Sequence, residues 1–231
     1  MIKERGKVTD VFFDLDHTLW DFERNSALTF ARILPENAIE LELEIFLREY
    51  VPANLKFWRM FREDRITKDE LRHIRLKTVF DKLNYKIDNR KIKKIANDYL
   101  TYLPTFNHLF SDAEEILNYL KETYRLHIIT NGFAAVQKGK LINSGIDHFF
   151  DIVVNSEMAG VKKPNPYIFH LALKKAAVRP ESAVMIGDSL EADVLGALSV
   201  GMQAVYYNSK NETAPDGIIE IKRLTDIKTI L

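Results

Sequence analysis

The stretch VFFDLDHTLWDF, residues 11–22, places two carboxylates directly after an apolar run. Residues 11–13 are β-branched or aromatic and predict a buried strand, which we place within residues 8–15. Aspartate is depleted in strands and is costly to bury without a partner. Asp14 and Asp16 are two positions apart, so an extended chain directs both side chains to the same side, where they need partners.

The chain beyond residue 111 alternates between strand-like and helix-like patterns. Short apolar runs predict four further strands: RLHIIT (125–130), FDIVV (150–154), AVMIGD (183–188) and QAVYY (203–207). Runs with helical patterns lie between them: AAVQKGKLINSG ended by Gly145, YIFHLALKKAA after Pro166, and EADVLGALSVG ended by Gly201. This alternation predicts an α/β fold with a Rossmann-like parallel sheet, which binds ligands beyond the carboxyl ends of its strands.

Smaller signals predict where individual elements begin and end. Ser111 followed by Glu114 has the spacing of a capping box and predicts a helix that continues to about Tyr124. Ser189 most simply caps the helix that follows the strand at 183–188. From about Ser209 the tail predicts a loop and a short closing strand or helix.

Residues 22–106 contain no convincing strand and show helical patterns instead. Apolar residues recur there at helical spacing, as at Leu43, Phe46, Leu47 and Tyr50. Such a stripe is typical of a helix packed on a core, and Pro52 predicts a break or kink after it. The economical interpretation is an all-helical module inserted after the first strand. The predicted domains are therefore an α/β core of residues 1–21 and 107–231 and a helical cap of residues 22–106.

Composition argues against several classes of function. Lys plus Arg number 33 and Asp plus Glu number 33, so the net charge is zero and we expect no nucleic acid polymer as a partner. The absence of cysteine excludes disulfides and thiolate chemistry. Residues 1–10 lack the apolar stretch of a signal peptide, and no apolar run approaches the roughly 20 residues that span a bilayer. We therefore expect a cytoplasmic location and no membrane partner.

Polar side chains follow four of the predicted strands, at or just beyond the carboxyl end of each. These are Asp14 with Asp16, Thr130 with Asn131, Lys163, and Asp188 with Asp193. Carboxylate oxygens are the ligands that Mg²⁺ prefers. A fixed ammonium group together with neutral hydrogen-bond donors can hold a phosphoryl group. Because parallel strands end at one edge of a sheet, the sequence predicts a single metal and phosphate site there.

The charges of the predicted site indicate that a metal ion belongs to it. A phosphate dianion beside ionised Asp14 and Asp188 brings four negative charges together, even if Asp16 is protonated. Each repulsive pair at about 4 Å costs about 4 kcal/mol at an effective dielectric constant near 20. Lys163 removes one of the four charges, and Mg²⁺ removes two more. A phosphate site built from these residues therefore needs its cation.

The Asp-x-Asp pair also suits a division of labour. One carboxylate can attack phosphorus and form an aspartyl-phosphate. The other can hold a proton, give it to the leaving oxygen, and then activate the water that hydrolyses the intermediate. Two like acids perform unlike tasks when their environments separate their pKa values.

These motifs resemble those of the haloacid dehalogenase-like hydrolase superfamily, in order and spacing along nearly the whole chain. The matching segments are DLDHT (14–18), TN (130–131), KP (163–164) and GDSLEAD (187–193). The resemblance implies that Asp14 is the nucleophile and Asp16 the general acid and base, while Thr130 and Lys163 bind the phosphoryl group. Asn131 is either a further contact to phosphate or substrate or only a turn residue before Gly132. The resemblance further implies that Mg²⁺ is bound by Asp14, Asp188 and the backbone carbonyl of Asp16. Asp193 would support the metal site and Thr18 the first loop.

The resemblance also narrows the class of reaction. Dehalogenating members lack an acid at the position of Asp16, so its presence implies a phosphatase. One departure is His17, where many members have glycine. The segments FFDLDHTLWDF, IITNGF, NSEMAGVKKPNPYIF and IGDSLEADVLGA resemble the bacterial pyrimidine 5′-nucleotidase branch. This implies a small phosphomonoester substrate, a pyrimidine nucleoside 5′-monophosphate. Separately, we expect a monomer or homodimer.

Other functions on the same scaffold remain open at this point. They are a sugar-phosphate or acylneuraminate-9-phosphate phosphatase, a phosphosugar mutase, and a non-catalytic phosphate-binding module. Trp20 and Phe22 predict either an apolar wall near the leaving group or packing between core and cap. The cap residues Phe57, Trp58, Arg59 and Arg62 more simply belong to core and surface than to a base-stacking face. The histidines at 73, 108, 127, 148 and 170 show no metal-ligand spacing and are predicted to be structural.

Overall fold

A computed structural model describes residues 7–231. Residues 1–6, which belong to the predicted charged N-terminus and core, lie outside the described part. The chain divides into two compact units. One, here called the sheet unit, comprises the described residues up to Phe22 together with Asn107–Leu231. The other, the helical unit, is Glu23–Phe106.

The sheet unit is built on one parallel sheet, as the sequence predicts. Its described strands are β1 (Asp10–Phe13), β2 (Arg125–Thr130), β3 (Phe150–Asn155), β4 (Ala183–Gly187), β5 (Gln203–Tyr207) and β6 (Ile219–Ile221). They lie in the order β3-β2-β1-β4-β5-β6, and every neighbouring pair is parallel. The parallel α/β fold is therefore confirmed, with β6 as the short closing strand of the tail.

Strand β1 occupies the middle of this sheet. Phe13 is in register with Ile128 of β2 on one side and with Ile186 of β4 on the other. All four residues of β1 are buried, because helices cover both faces of a parallel sheet. The chain continues from β1 toward β2 and β3 in one direction and later toward β4 to β6 in the other. Ligands of such sheets bind at this change of direction, beyond the ends of β1 and β4.

The helical unit contains four long helices within the described residues. They are α1 (Phe22–Glu36, whose first residue belongs to the sheet unit), α2 (Leu43–Arg62), α3 (Lys68–Lys82) and α4 (Asn89–Tyr102). Their common core is aromatic: the Phe30 ring lies 4.7 Å from that of Phe46, 4.4 Å from Tyr50 and 4.8 Å from Tyr99. Phe46 and Tyr50 are therefore core residues, as their spacing predicts. Leu43 and Leu47 are only partly buried.

Pro52 does not break its helix, so that half of the prediction is wrong, while a kink there stays a prediction. Helix α2 continues through Pro52 to Arg62. Pro52 cannot bond to the carbonyl of Arg48, but both residues are exposed, so water can satisfy that carbonyl. Further along α2, Phe57 is buried, and Arg59 forms an ion pair of 3.0 Å with Glu63.

Helices and short turns connect the strands of the sheet unit. The helices are α5 (Ala113–Lys121), α6 (Ala134–Asn143), α7 (Ser156–Ala159), α8 (Pro166–Ala176) and α9 (Gly196–Ser199). A π-helical segment, Leu190–Leu195, leads into α9, and a 3₁₀ helix, Leu224–Thr229, follows β6. Gly145 and Gly201 have φ of +70° and +85° at the ends of their helices, so both predicted C-terminal caps are confirmed.

The predicted capping box at Ser111 is wrong. Helix α5 has Asp112 at its N-cap, without a side-chain cap bond, and ends at Lys121 rather than near Tyr124. The Ser111 hydroxyl donates instead to Asp112 Oδ1 at 3.1 Å, so it does not serve the helix backbone. In the described part of the chain, no helix is both long and apolar enough to cross a bilayer.

Candidate active site

Lys163 joins residues from different strand ends. Its ammonium nitrogen lies 2.6 Å from Asp14 Oδ1 and 2.6 Å from Asp193 Oδ1, and it donates to the carbonyl of Ile129 at 2.6 Å. Asp14 directly follows β1, while Asp193 lies in the π-helical segment after β4. The predicted convergence at the carboxyl edge of the sheet thus occurs around one buried ammonium group.

Asn131 holds the backbone of Lys163 in place. The Lys163 N–H donates to Asn131 Oδ1 at 2.7 Å, and Asn131 Nδ2 donates to the Lys163 carbonyl at 3.1 Å. Ser156, at the start of α7, donates to the Asn131 carbonyl at 3.0 Å. The side-chain amide of Asn131 therefore already has two partners, and its contact with substrate stays a prediction.

Three carboxylates lie beside Lys163 in a cluster suited to a metal ion. One oxygen each from Asp14, Asp188 and Asp193 lies within 4.8 Å of the others. Asp193 is fixed from a second side, because the Ser189 N–H donates to its Oδ2 at 3.0 Å. Gly187 makes room for it: a Cβ atom at Gly187 would lie 2.3 Å from Asp193 Oδ2. Asp193, predicted to be a supporting residue, is thus a member of the cluster on the same terms as Asp14 and Asp188.

The electrostatics of this cluster favour a bound cation. Burial raises the pKa of Asp14 to about 7, with Lys163 acting against it and Asp193 adding to it. Burial, followed by the charges of Asp14 and Asp193, raises the pKa of Asp188 well above its usual range. One ammonium group therefore does not balance the carboxylates around it. A hard divalent ion bound by these oxygens would, and the donor set fits Mg²⁺.

Asp16 has different partners from Asp14. Lys140 Nζ lies 2.5 Å from Asp16 Oδ1, and Gln137 Nε2 donates to Asp16 Oδ2 at 2.9 Å. Strand β1 ends at Phe13, so the alternation of an extended chain does not continue through both acids. Asp16 therefore has a cation of its own, separate from the Lys163 ammonium that pairs with Asp14.

The two partners of Asp16 lie on helix α6 and were not predicted. Gln137 and Lys140 are 1% and 2% exposed, so both are polar residues on the buried face of the helix. Gln137 Nε2 also donates to Thr130 Oγ1 at 2.7 Å. The available signal was a glutamine and a lysine three positions apart, on one face of a helix that directly follows a site strand. A solvated charge is the usual explanation of such residues, and only burial excludes it.

Two aromatic rings enclose the Lys140 ammonium. The rings of Trp20 and Phe22 lie 4.3 Å and 5.4 Å from Lys140 Nζ, and Trp20 Nε1 donates to Ser144 Oγ at 3.2 Å. Burial lowers the pKa of Lys140, while Asp16 acts against that shift. Trp20 and Phe22 therefore have a role that the sequence did not indicate, as the apolar shell of an ion pair.

The first loop is held by Thr18 and by an unusual backbone at His17. Thr18 Oγ1 accepts from the Asp188 N–H at 3.1 Å, which ties the loop after β1 to the end of β4. His17 has φ of +65°, a conformation that favours glycine and explains why glycine suits this position. Ser189 Oγ accepts from the Ala192 N–H at 3.1 Å, so its predicted capping role is confirmed.

This fold and site define a hydrolase of known type. The chain belongs to the haloacid dehalogenase-like hydrolase family, whose model matches residues 11–201. It is 32% identical to the pyrimidine 5′-nucleotidase YjjG of Escherichia coli over 90% of this chain and 89% of that protein. It is 30% identical to the pyrimidine 5′-nucleotidase PynA of Streptococcus pneumoniae, over 94% and 92% of the two chains.

A solved structure extends the likeness to three dimensions. The crystal structure of the putative HAD-hydrolase YfnB from Bacillus subtilis, bound to magnesium, matches with a TM-score of 0.88 at 26% identity. The match covers 97% of this chain and 99% of that chain. Family membership therefore rests on sequence and fold together.

Proposed function

We propose that this protein is a Mg²⁺-dependent phosphatase that hydrolyses pyrimidine nucleoside 5′-monophosphates through an aspartyl-phosphate. The observation that carries the proposal is the position of the Lys163 ammonium. It lies 2.6 Å from Asp14, which directly follows β1, and 2.6 Å from Asp193. A nucleophilic carboxylate beside a fixed cation is the arrangement that attack on a phosphate dianion requires.

In the first half of the reaction, an Asp14 carboxylate oxygen attacks phosphorus and the bond from phosphorus to the ester oxygen breaks. Asp16 gives its proton to the leaving nucleoside oxygen. Lys163 stabilises the negative charge on the phosphoryl oxygens, and the Thr130 hydroxyl can donate to one of them. Asp14, Asp188 and the Asp16 carbonyl would hold Mg²⁺, with Asp193 in support, and the ion would supply neutralising charge at the phosphoryl group.

In the second half, water attacks the phosphorus of the aspartyl-phosphate. Asp16 takes a proton from that water, the bond from phosphorus to the Asp14 oxygen breaks, and inorganic phosphate leaves. The balance is one ester bond and one water consumed, with one alcohol and one phosphate formed. Both halves require Asp16 close to phosphorus, first as acid and then as base.

The substrate class is supported by the relatives. YjjG and PynA, both pyrimidine 5′-nucleotidases, match this chain over about nine-tenths of its length. We assign substrate selection to the helical unit, as the cap of the α/β core. A cytoplasmic location and a monomeric or homodimeric state stay predictions.

Replacing Asp14 by asparagine tests the mechanism. Asp14→Asn removes the nucleophilic oxygen but keeps the shape, so phosphate release should fall by at least about a thousandfold. Circular dichroism and thermal unfolding check that the fold is kept. Substantial residual turnover in a folded Asp14→Asn protein would contradict the nucleophile assignment.

A phosphate-release screen tests the substrate class. The panel contains pyrimidine and purine nucleoside 5′-monophosphates and sugar phosphates, each with Mg²⁺ and with EDTA. We expect the pyrimidine compounds to have the highest kcat/KM and EDTA to abolish their turnover. A preference for purine or sugar phosphates would overturn the substrate assignment, and activity after complete metal removal would overturn the mechanism.

A further inference from the structure

We infer that Lys140 and Gln137 are positioning residues, which hold the proton-transferring Asp16 and the phosphate-binding Thr130 in one connected chain. The inference rests on the proposed function, because it assigns these two side chains a task in the same reaction. Here they are called the α6 clamp. Neither belongs to the motifs at the four strand ends.

The clamp holds both oxygens of Asp16. Lys140 Nζ is 2.5 Å from Oδ1, and Gln137 Nε2 is 2.9 Å from Oδ2. A carboxylate held at both oxygens loses its freedom to rotate about its terminal torsion. The two holding residues are 2% and 1% exposed, so the carboxylate is gripped by the interior of the protein rather than by a mobile surface.

The same glutamine extends the chain to the phosphate side of the site. Gln137 Nε2 donates to Thr130 Oγ1 at 2.7 Å, and the Gly132 N–H donates to that hydroxyl at 3.2 Å. In both contacts the hydroxyl oxygen accepts, so its own proton remains able to donate to a phosphoryl oxygen. The clamp therefore fixes Asp16 relative to the Thr130 hydroxyl, which can donate a hydrogen bond to the phosphoryl group. Such a fixed distance is needed because Asp16 acts twice on one phosphorus, first as acid and then as base.

The surrounding residues are shaped around the clamp. A Cβ atom at Gly132 would lie 2.4 Å from Gln137 Cδ, so a residue with a side chain there would displace the glutamine. Trp20 and Phe22 cover Lys140 at 4.3 Å and 5.4 Å from the ring centres. A buried lysine thus has both a carboxylate partner and an aromatic shell, which strengthens its attraction to Asp16 by excluding water.

The chemistry allows a test that separates positioning from folding. The leaving group of p-nitrophenyl phosphate departs as a stable phenolate and needs little help from an acid. Formation of the aspartyl-phosphate from this ester is therefore nearly independent of Asp16. Hydrolysis of the aspartyl-phosphate still needs Asp16 as base. A misplaced Asp16 therefore slows the second step and spares the first.

The experiment is rapid mixing of the full chain with p-nitrophenyl phosphate and Mg²⁺, with Lys140→Met as the variant. We expect a burst of p-nitrophenolate near one equivalent per active site, followed by a steady rate at least about tenfold below that of the wild type. The ratio kcat/KM should change little, because Lys163, the metal ligands and the first step are untouched, so KM should fall together with the steady rate. For the nucleotide substrate, kcat should fall by at least the same factor.

Lys138→Met is the matched control, because Lys138 is an exposed lysine on the same helix. It should behave as the wild type in burst, steady rate and KM. Gln137→Met is the second variant; it removes the contact with Thr130 as well, so inorganic phosphate should inhibit it more weakly than it inhibits Lys140→Met. Thermal unfolding of each variant shows whether the sheet unit is intact.

The outcomes distinguish the clamp from the proposed function. An inactive wild-type protein would refute the phosphatase proposal. An active wild type with a normal steady rate in Lys140→Met would refute the clamp alone. A folded Lys140→Met protein with burst and steady rates reduced by the same factor would also refute it, because that pattern indicates general damage to the site. If Lys140→Met does not fold, Gln137→Met is compared with the wild type. Equal inhibition by inorganic phosphate and an equal steady turnover in these two proteins would refute the clamp.

Discussion

Individual residues at this site are constrained as much by space as by charge. Gly187 ends β4 next to the acidic cluster, and a Cβ atom there would lie 2.3 Å from Asp193 Oδ2 and 2.6 Å from Asp193 Cβ. Asp193 cannot easily yield, because Lys163 and the Ser189 N–H both hold it. A glycine needed for close approach and an aspartate six positions later thus form one device.

This arrangement predicts that Gly187→Ala weakens metal binding. Displacing a residue that orients metal ligands typically costs 10- to 100-fold in affinity, so we expect a loss of at least about tenfold in Mg²⁺ affinity. The measurement is Mg²⁺ titration of turnover together with calorimetry. Gly160→Ala is the control: φ of +70° strains it by about 1 kcal/mol, but no atom lies within 4 Å of its Cβ position. Unchanged Mg²⁺ affinity in Gly187→Ala would argue against a metal at this cluster.

The raised pKa of Asp14 predicts how metal binding depends on pH. In the metal-free protein this pKa is about 7, above its ordinary value of 3.8, so between these values the folded state holds a proton that the unfolded state lacks. The contribution of that proton to stability is present at low pH and is lost as the pH rises through about 7. Mg²⁺ must displace this proton, so it should raise the melting temperature little near about pH 5 and much more near about pH 8. An equal effect at both pH values would contradict the assignment of Asp14 as a ligand.

At the scale of elements, the sequence predicted the strands better than the junctions between them. The runs at 125–130 and 203–207 match β2 and β5, because a continuous apolar run buried on both faces is a strong local signal. Helix boundaries depend on contacts that no local pattern contains. Ser111 turns to Asp112 instead of the helix backbone, and α2 continues through Pro52 because its exposed face tolerates the lost bond.

Helix α6 shows why part of the site escaped prediction. Asp14 and Asp188 directly follow β1 and β4, and Lys163 lies in the loop between α7 and α8 beyond β3, so the topology of a parallel sheet brings them together. Gln137 and Lys140 instead lie inside a helix, and only three-dimensional packing turns them toward Asp16 and away from solvent. A local pattern identifies the edge of the sheet but not which helical side chains lean over it.

At the scale of the whole molecule, the polar clusters at the two ends of the sheet differ in whether their charges are balanced by protein partners. The carboxyl edge carries the unbalanced acids of the site. At the other edge, Asp10 begins β1 and is buried, with His127 Nε2 at 2.8 Å from its Oδ1 and Arg125 Nη2 at 2.7 Å. The Asp10 carboxylate is satisfied by protein partners alone, so the predicted structural role of His127 agrees with its surroundings, although His127 Nδ1 is buried without a hydrogen-bond partner among the described residues. The contribution of this second cluster is to stability.

Burial lowers the pKa of His127 below its ordinary value of 6.5, against the opposing hydrogen bond and charge of Asp10 and the charge of Asp151, while Arg125 adds to the shift. The folded state therefore keeps this imidazole neutral at a pH where the unfolded chain takes up a proton. A depressed pKa of this kind contributes stability that is present above about pH 6.5 and is lost as the pH falls. His17 shifts in the same direction, to a pKa of about 4, so wild-type stability contains both terms.

His127→Gln isolates the contribution of His127, because glutamine can still donate to Asp10 but cannot take up a proton. Near neutral pH we expect a loss of about 1 to 3 kcal/mol, because glutamine fills the site less well and packs less well against Phe12. Between about pH 7 and about pH 5 the variant should lose less stability than the wild type does, so the difference between the two should narrow on acidification. Chemical denaturation at several pH values measures it, with His17→Asn as the control that removes the other term. A difference that stays constant or widens would show that His127 is protonated in the folded protein, as an ion pair with Asp10.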